Sequence, residues 1–163
     1  MFGLQFCLAV GAQTVITSSS DEKLKRASSL GANDLVNYAK HPEWDEEVLR
    51  VTEGKGVTHV LEIGGPDTFP KSLKVLAAGG TIAQIGVITG FGPTANLMRL
   101  QSINANIIGI SVGSRSHLEA TLDFVTEKHI QPVIDKKFAF EDVPAAFDYL
   151  RSGSHFGKIV VEI

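Results

Sequence analysis

The residues of this 163-residue chain that are best suited to chemistry are three consecutive serines, Ser18–Ser20, and the nearby lysine Lys23. The serines end a β-branched run over residues 14–18 that predicts a strand, and a helical pattern follows them at once. A strand that turns directly into a helix places unpaired backbone N–H groups at the helix start, where they attract anions. Hydroxyl donors and an ammonium group at one turn therefore predict a phosphate-binding site, here called the serine turn (Ser18–Ser20).

The helix after the serine turn is predicted from its start signal, its periodicity and its stop signal. Ser19 and Glu22 fit the S-x-x-E capping box, and Gly31 fits the residue that follows a helix end. The apolar residues Leu24, Ala27 and Leu30 are spaced so that they would lie on one face of this helix. An ordinary capped surface helix remains the alternative to a phosphate site, because capping boxes and single lysines are common.

The residues that end the strand before the serine turn indicate which phosphate group the turn would bind. In dinucleotide-binding folds the turn after the second strand contacts the adenosine ribose. An acid there binds the 2′-hydroxyl of NAD, and a cation accommodates the 2′-phosphate of NADP. This strand ends in Thr17 and Ser18, and the first carboxylate after it is that of Asp21. If the chain has such a fold, its sequence therefore favours NADP over NAD.

Composition limits the class of protein. The chain is 44% hydrophobic and 20% charged with a formal net charge of −3, which is typical of one globular domain with a sizeable core. The mild acidity and the lack of a basic cluster argue against nucleic acid or an anionic membrane as a partner. A single cysteine, Cys7, gives no disulfide framework and no C-x-x-C zinc pattern, so we expect a reducing, cytoplasmic location. The apolar residues 1–10 are too few to span a bilayer and lack the basic residues of a signal peptide.

Two further residue types could suggest chemistry, the histidines and a glutamate at a predicted strand end. The histidines show no ligand spacing, so we predict no metal site from His41, His59, His117, His129 and His155. Glu62 could be a catalytic carboxylate, but a hydrogen-bonded structural role is the favoured interpretation.

Strand-like and helix-like segments alternate along the rest of the chain. Apolar and β-branched runs predict strands over residues 34–38, 58–63, 81–87 and 107–112. The helices between them carry apolar residues on inward faces, among them Leu76 of one helix and Leu118 and Leu122 of another. Pro132 begins a short β-α-β tail. The alternation predicts an α/β fold, a doubly wound parallel sheet covered by helices on both faces.

Five successive segments resemble the medium-chain dehydrogenases/reductases, and the nearest group is the zinc-independent alcohol dehydrogenase-like and quinone oxidoreductase branch. These segments are residues 11–24, 30–38, 60–65, 80–87 and 109–115. The tail segments 132–135 and 154–161 are similar to the C-terminal return of that family. The resemblance covers nearly the whole chain, in order, and is therefore more specific than any one motif. It implies a Rossmann-like fold.

The resemblance also implies a role for each matching residue. Ser20 and Lys23 match the S-x-x-K that holds the 2′-phosphate of NADP, and Tyr38 matches a tyrosine that often joins them. Gly64 matches a position near the ribose. The positions that would line the nicotinamide and its ribose are Ile85, Gly86, Val87, Val112, Gly113 and Ser114. The family further implies NADP(H) as the cofactor and a homodimer formed through the edge strand Ile107–Val112.

The chain departs from that family in what it lacks. The family's glycine-rich pyrophosphate loop and the strand before it would precede Met1, and so would its substrate domain. The one G-x-G-x-x-A match, Gly90–Ala95, follows a late strand and contains Pro93, which has no N–H, so it is rejected as a cofactor loop. We therefore expect an incomplete dinucleotide-binding domain over residues 1–131 and, over residues 132–163, a return segment that in the family packs on the missing domain.

The missing strand would be the central one of the doubly wound order 3-2-1-4-5-6. If it carried roughly five apolar side chains at about 1.5–3 kcal/mol each, its loss would remove roughly 7–15 kcal/mol of burial, as much as the stability of a typical domain. Three outcomes are open. The strands 14–18 and 58–63 close on each other, another segment or chain fills the gap, or the chain is marginally stable. The tail strand 159–163 is a candidate filler.

The functional expectation is the coenzyme-binding part of an NADP(H)-dependent oxidoreductase that transfers hydride to or from a carbonyl, alcohol or enone. No residue of the chain is assigned a catalytic role, so we expect little or no turnover by this chain alone. The alternatives are a non-catalytic nucleotide-binding or dimerising module and an incomplete gene model.

Overall fold

The computed structural model describes residues 1–91 and 97–163, in which helices and strands alternate. The helices are α1 (Phe2–Ala9), α2 (Asp21–Ser29), α3 (Trp44–Val51), α4 (Phe69–Lys74), α5 (Leu97–Ser102), α6 (Arg115–Glu127) and α7 (Val143–Arg151). The strands are β1 (Val15–Ser18), β2 (Asp34–Asn37), β3 (Val57–Glu62), β4 (Leu76–Gln84), β5 (Asn106–Gly109), β6 (Ile134–Ala139) and β7 (Lys158–Glu162). The second half of the rejected Gly90–Ala95 match lies outside the described residues.

Two compact units make up the chain. The terminal unit comprises residues 1–14 and 115–163, and the central unit comprises residues 15–114. Every residue predicted to bind the cofactor belongs to the central unit. The domain boundary expected after residue 131 refers to the division of the family's complete proteins and stays a prediction. Within the described ranges, no helix is both long and apolar enough to cross a membrane.

The central unit contains two parallel sheets, one of β1 and β2 and one of β3, β4 and β5 in that order. β1 pairs with β2 from Val15 opposite Asp34 to Ser18 opposite Asn37. β4 pairs with β3 on one side and with β5 on the other. Throughout the described residues the strand pairing is parallel, which confirms the predicted α/β fold class.

Contact between apolar side chains, not strand pairing, joins the two sheets of the central unit. In the described part of the chain β1 pairs only with β2, and β3 pairs only with β4. Of the three outcomes left open by the sequence, pairing of the strands 14–18 and 58–63 is therefore not what the structure shows. Instead, the buried side chains of Val36, Val48 and Val75 form a cluster against which Val15, Val57 and Val60 pack. The sheets thus share a core without sharing hydrogen bonds.

The tail forms the predicted β-α-β arrangement of β6, α7 and β7 within the terminal unit. β7 pairs in parallel with β6, from Lys158 opposite Ile134 to Glu162 opposite Ala139. The tail strand, named above as a candidate filler, therefore does not take the place of the missing strand. The physical reason is that the tail has a small core of its own, which includes the buried side chain of Phe138.

Three local features differ from the sequence prediction because a short pattern does not determine where an apolar residue is buried. α4 ends before Leu76, which instead begins β4 and is 1% exposed. β5 ends at Gly109, so it covers only the first part of the predicted strand 107–112. Leu118 and Leu122 of α6, which were expected to face inward, are 59% and 54% exposed.

Candidate functional site

The serine turn connects the end of β1 to the start of α2. Ser18 Oγ accepts a hydrogen bond from the backbone N–H of Ser20 (3.2 Å), and Ser20 Oγ accepts one from the backbone N–H of Lys23 (3.3 Å). Ser20 is therefore the N-cap of α2, and the predicted capping box of Ser19 and Glu22 is wrong. The cause is the Ser18 side chain, which holds Ser20 in an extended conformation just before the helix, a contact that the S-x-x-E pattern does not contain.

Hydrogen-bond donors remain at the start of α2. An α-helix leaves its first four backbone N–H groups without acceptors inside the helix. The serine hydroxyls accept from two of these groups, and those of Asp21 and Glu22 have no acceptor within the helix. A serine hydroxyl that accepts one hydrogen bond can still donate its own proton. The serine turn thus presents the donors that a phosphate requires, next to the positive end of the helix dipole.

Tyr38 lies beside the serine turn, across the sheet. Ser18 is opposite Asn37 in the pairing of β1 with β2, and the backbone N–H of Tyr38 donates to Ser18 O (3.0 Å). The Tyr38 side chain is exposed, and Lys23 is partly buried. The structure therefore places Ser18–Ser20, Lys23 and Tyr38 at the carboxyl ends of two neighbouring strands. Their contact with a cofactor stays a prediction.

A polar network beside the serine turn was missed by sequence reasoning. Asn37 Nδ2 donates to Asp21 Oδ1 (2.6 Å), and Lys40 Nζ donates to Asp21 Oδ2. Asn37 Oδ1 accepts from the backbone N–H groups of Ala39 (2.9 Å) and Lys40 (3.3 Å), which is an Asx turn at the end of β2. The hydrogen bonds from Lys40 and Asn37 hold the pKa of Asp21 below its usual range. The only local signal is an asparagine at a strand end, and it does not indicate an acid 16 residues earlier.

A shallow groove of about 470 Å³ lies between α2 and α3. Asp21 and Asn37 of this network contribute to its wall, whereas the predicted cofactor residues do not. The predicted cofactor positions therefore occupy open surface at strand ends and not this groove.

A second set of predicted residues lies on two facing loops at the carboxyl ends of β3 and β4. The set consists of Gly64, Ile85, Gly86 and Val87. The backbone N–H groups of Ile85 and Gly86 both donate to Glu62 O, at 2.8 and 3.1 Å. Ile85 and Val87 are 45% and 42% exposed. The structure thus brings these four residues together at one edge of the sheet.

Two of these positions have no room for a side chain, Gly64 because of Thr68 in its own loop and Gly86 because of the facing backbone of Ile63. A Cβ atom at Gly64 would lie 2.2 Å from Thr68 Oγ1, and one at Gly86 would lie 2.6 Å from Ile63 O. Both distances are too short for a carbon atom, so any larger residue would force the chain apart.

The carboxylate of Glu62 connects the loop after β3 to α4. Glu62 Oε1 accepts hydrogen bonds from Gly64 N (2.7 Å), Gly65 N (3.2 Å) and Thr68 Oγ1 (2.6 Å), and Oε2 accepts one from Ser72 Oγ. The residue is 3% exposed. A buried carboxylate needs such donors to offset its lost hydration. The geometry therefore supports the structural interpretation of Glu62.

Val112, Gly113 and Ser114 follow β5, the third strand of the same sheet. Pairing ends just before them, where the backbone N–H of Ile110 donates to Gln84 O (2.9 Å). Val112 is 87% exposed. Because the strands are parallel, these residues leave the sheet at the edge where the loops after β3 and β4 lie. Their predicted contact with the nicotinamide carboxamide stays a prediction.

The described residues contain no group of three or more His, Cys, Asp or Glu side chains that could hold a metal ion. The side chains in those ranges therefore do not fit a zinc site.

Comparison with known proteins finds relatives over nearly the whole chain. The family model for zinc-binding dehydrogenases matches residues 1–127. A zinc-type alcohol dehydrogenase-like protein of Schizosaccharomyces pombe is 44% identical over 166 residues, which cover 99% of this chain and 48% of that protein. An NAD-dependent alcohol dehydrogenase of Sulfolobus acidocaldarius is 30% identical over 145 residues, which cover 88% of this chain and 41% of that protein.

A solved structure is also similar to this chain over nearly its whole length. The crystal structure of a Sinorhizobium meliloti protein assigned as an alcohol dehydrogenase matches with a TM-score of 0.93 at 41% identity, over 99% of this chain and 47% of that chain. The chain thus spans about half the length of the relatives it matches. It belongs to the zinc-binding dehydrogenase family, within the medium-chain dehydrogenases/reductases.

Proposed function

We propose that this chain is the coenzyme-binding part of an NADP(H)-dependent oxidoreductase that transfers hydride to or from a carbonyl, alcohol or enone. The family binds nicotinamide dinucleotides. The observation that carries the proposal is the placement of Ser18–Ser20 and Tyr38 at the carboxyl ends of the paired strands β1 and β2, with Lys23 in the first turn of the helix that follows. A dinucleotide-binding fold contacts the adenosine ribose at this place.

The charges near the serine turn support NADP over NAD. Lys23 supplies an ammonium group, and no carboxylate occurs between Thr17 and Ser20. The first acid, Asp21, has both carboxylate oxygens hydrogen-bonded by other side chains. One of the relatives is an NAD-dependent enzyme. The choice between the two cofactors is therefore the point that an experiment has to decide.

The nicotinamide, when bound, supplies the hydride chemistry, and the residues of this chain bind and orient it. Gly86 allows the loop after β4 to pack closely on the end of β3, Gly64 leaves room for Thr68, and Glu62 holds both loops in place. Ile85 and Val87 present apolar side chains at the same edge. We expect no catalytic proton transfer from these groups, and hence little or no NADPH turnover with enones by the 163-residue chain alone.

The edge strand β5 favours a second candidate, a non-catalytic module that dimerises. β5 pairs with β4 on one side, and Ile107, Ile108 and Ile110 are 37%, 54% and 44% exposed. An apolar edge strand is suited to pairing with another chain. A homodimer through Ile107–Val112 is compatible with either function, so nucleotide binding distinguishes the two.

Lys23→Ala tests the cofactor choice. If the Lys23 ammonium group contacts the 2′-phosphate, its loss should weaken NADPH binding roughly 10- to 150-fold, because a hydrogen bond to a charged group contributes roughly 1.5–3 kcal/mol. NADH binding should change by less than about twofold, since NADH lacks that phosphate. Titration calorimetry with both nucleotides measures the two effects. Lys25→Ala is the matched control, because Lys25 is an exposed lysine of the same helix.

Two results would contradict the proposal. Equal weakening of both nucleotides by Lys23→Ala would mean that Lys23 does not bind the 2′-phosphate. If the unaltered chain binds neither nucleotide, only the non-catalytic module remains.

A further inference from the structure

We propose that Lys40, held in place by Asn37, neutralises the carboxylate of Asp21 and thereby allows the serine turn to accept a 2′-phosphate. Lys40 is then a specificity-determining residue that does not itself contact the phosphate. The inference rests on the proposed function, since it explains how the turn prefers NADP although its helix begins with an acid.

Asp21 stands where a free carboxylate would oppose phosphate binding. It is the first residue of α2, directly after Ser20 and two residues before Lys23. The hydrogen bonds from Lys40 and Asn37 hold the pKa of Asp21 below its usual range, so the group is ionised at neutral pH. An uncompensated carboxylate at this turn would repel a phosphate dianion and could instead accept the 2′-hydroxyl of NAD.

Both oxygens of that carboxylate are engaged at the end of β2. Asn37 Nδ2 donates to Oδ1 (2.6 Å), and Lys40 Nζ donates to Oδ2. The Asp21 carboxylate is thereby directed towards the turn after β2, and its charge is compensated by the ammonium group of Lys40. The serine turn itself contains no acid, and the next carboxylate along α2 is that of Glu22.

Asn37 determines where Lys40 lies. An ion pair between exposed side chains contributes little by itself, and the side chains of Lys40 and Asp21 are 62% and 59% exposed. Asn37, however, is 8% exposed, and its Oδ1 accepts the backbone N–H groups of Ala39 and Lys40. One buried amide therefore fixes the backbone of Lys40 and also bonds Asp21 directly. Because Asn37 already fixes the backbone at Lys40, Lys40 loses less conformational entropy when it pairs with Asp21.

The experiment compares adenosine 2′,5′-bisphosphate with AMP, which lacks the 2′-phosphate, by titration calorimetry on the 163-residue chain at low ionic strength. Lys40→Met should weaken the bisphosphate by about three- to tenfold, the effect of one exposed charge near a dianion, and should change AMP by less than about twofold. The loss should shrink at about 0.5 M salt, because exposed charges are then screened. Lys40→Arg keeps the charge and should keep the preference.

A matched control and a double variant complete the design. Lys55→Met removes an exposed lysine that pairs with Glu53 (2.8 Å) in the same unit, and it should change neither affinity. In an Asp21→Asn background there is no carboxylate to neutralise, so the addition of Lys40→Met should change the bisphosphate affinity by less than about twofold. Thermal unfolding of each variant, compared with Lys55→Met, reports whether the fold is retained.

Each further outcome contradicts either the inference alone or the proposed function as well. A loss of equal size in both backgrounds would overturn the inference, because the effect of Lys40 on phosphate binding would then not depend on the Asp21 carboxylate. The absence of any loss in Lys40→Met would overturn it as well. If the unaltered chain binds the bisphosphate and AMP equally, the proposed function fails and the inference fails with it. A preference of undiminished size in Lys40→Met contradicts the inference alone.

Discussion

Glu62 and Asn37 each fix a loop at the end of a strand. Glu62, the last residue of β3, accepts hydrogen bonds from the loop and the helix that follow it. Asn37, the last residue of β2, bonds both the turn that follows it and the start of α2. They are 3% and 8% exposed, so an unpaired polar atom on either side chain would be costly. Two buried side chains thus hold the backbone next to the predicted cofactor positions.

Glu62→Gln should lower the free energy of unfolding of the central unit by about 2–3 kcal/mol. The amide keeps the shape of the carboxylate, but its NH₂ group cannot accept a hydrogen bond, so at least one buried donor is left unpaired. Urea unfolding followed by the fluorescence of Trp44 measures the change, because Trp44 is the single tryptophan and packs in the core of this unit.

Glu53→Gln is the matched control for that measurement. The Glu53 side chain is 76% exposed, so its replacement should change the free energy of unfolding by less than about 0.5 kcal/mol. If Glu62→Gln costs no more than this control, the hydrogen bonds of the carboxylate do not stabilise the unit.

At the scale of elements, α2 is bounded by a local signal at each end. Ser20 caps its start and so places the helix directly after the serine turn. At its end Gly31 has a φ of 101°, and the backbone N–H groups of Gly31 and Ala32 donate to Ser28 O (2.9 Å) and Ala27 O (3.1 Å). These two bonds form the Schellman motif, which confirms the predicted end of the helix.

Gly31→Ala should lower the free energy of unfolding by about 1–2 kcal/mol. A side chain at this positive φ meets the following carbonyl, a strain that glycine avoids. Trp44 fluorescence in urea again measures the loss. Gly109→Ala is the control, because Gly109 has open space around its missing Cβ and no positive φ, and we expect no loss beyond about 0.5 kcal/mol there. Equal losses at both positions would refute the role of the helix end.

At the scale of the whole central unit, contacts made by α3 and α4 connect one sheet to the other. The cluster of Val36, Val48 and Val75 provides the apolar contact. Beside it Asp45 of α3, 1% exposed, pairs with Lys74 (2.6 Å) of α4. Packing and an ion pair therefore connect the sheets where no strand pairing does.

The Asp45 pair should make the central unit sensitive to acid. Burial alone would raise the pKa of Asp45, but the hydrogen bond from Lys74 and the charges of Lys74 and Lys71 outweigh it and hold the pKa below its usual range. Because the folded pKa lies below the unfolded value of about 4, the stabilisation is fully present above that pH. It is lost as the pH falls through the folded pKa.

The measurement is urea unfolding of the unaltered chain and of Asp45→Asn at a series of pH values. The stability difference between them should be largest near neutral pH and should shrink below a pH of about 4. Asp67→Asn, at an exposed acid of the same unit, should keep the pH dependence of the unaltered chain. A difference that stays constant with pH would show that the charge of Asp45 does not contribute.

Features that depend on residues close together in the sequence are predicted correctly, whereas features that depend on contacts between other segments are not. The strand before the serine turn, the helix after it and its end at Gly31 depend on neighbouring residues, and all three are found within a residue or two of the prediction. Leu76 was assigned to a helix but begins a strand, because a single leucine is buried equally well in either. Ser19 was chosen as the cap because the pattern does not include the bond that Ser18 makes to Ser20.

The residues of the candidate site likewise divide into those that the sequence indicates and those that it does not. Lys23 could be named because it follows the serine turn closely in the sequence, and Tyr38 could be named from the resemblance to the family. Lys40 could not, since it pairs with an acid 19 residues away through a turn that only Asn37 creates.

By itself, the sequence determined the alternation of strands and helices except for α5, the serine turn with its lysine, and the family, because residue type and short spacing suffice for these. Only the tertiary structure decided that Ser20 caps α2, that Lys40 bonds Asp21, and that apolar side chains join the two sheets of the central unit. The physical reason is that these contacts depend on which distant segments pack together. That selection is made by burial and hydrogen-bond geometry in three dimensions.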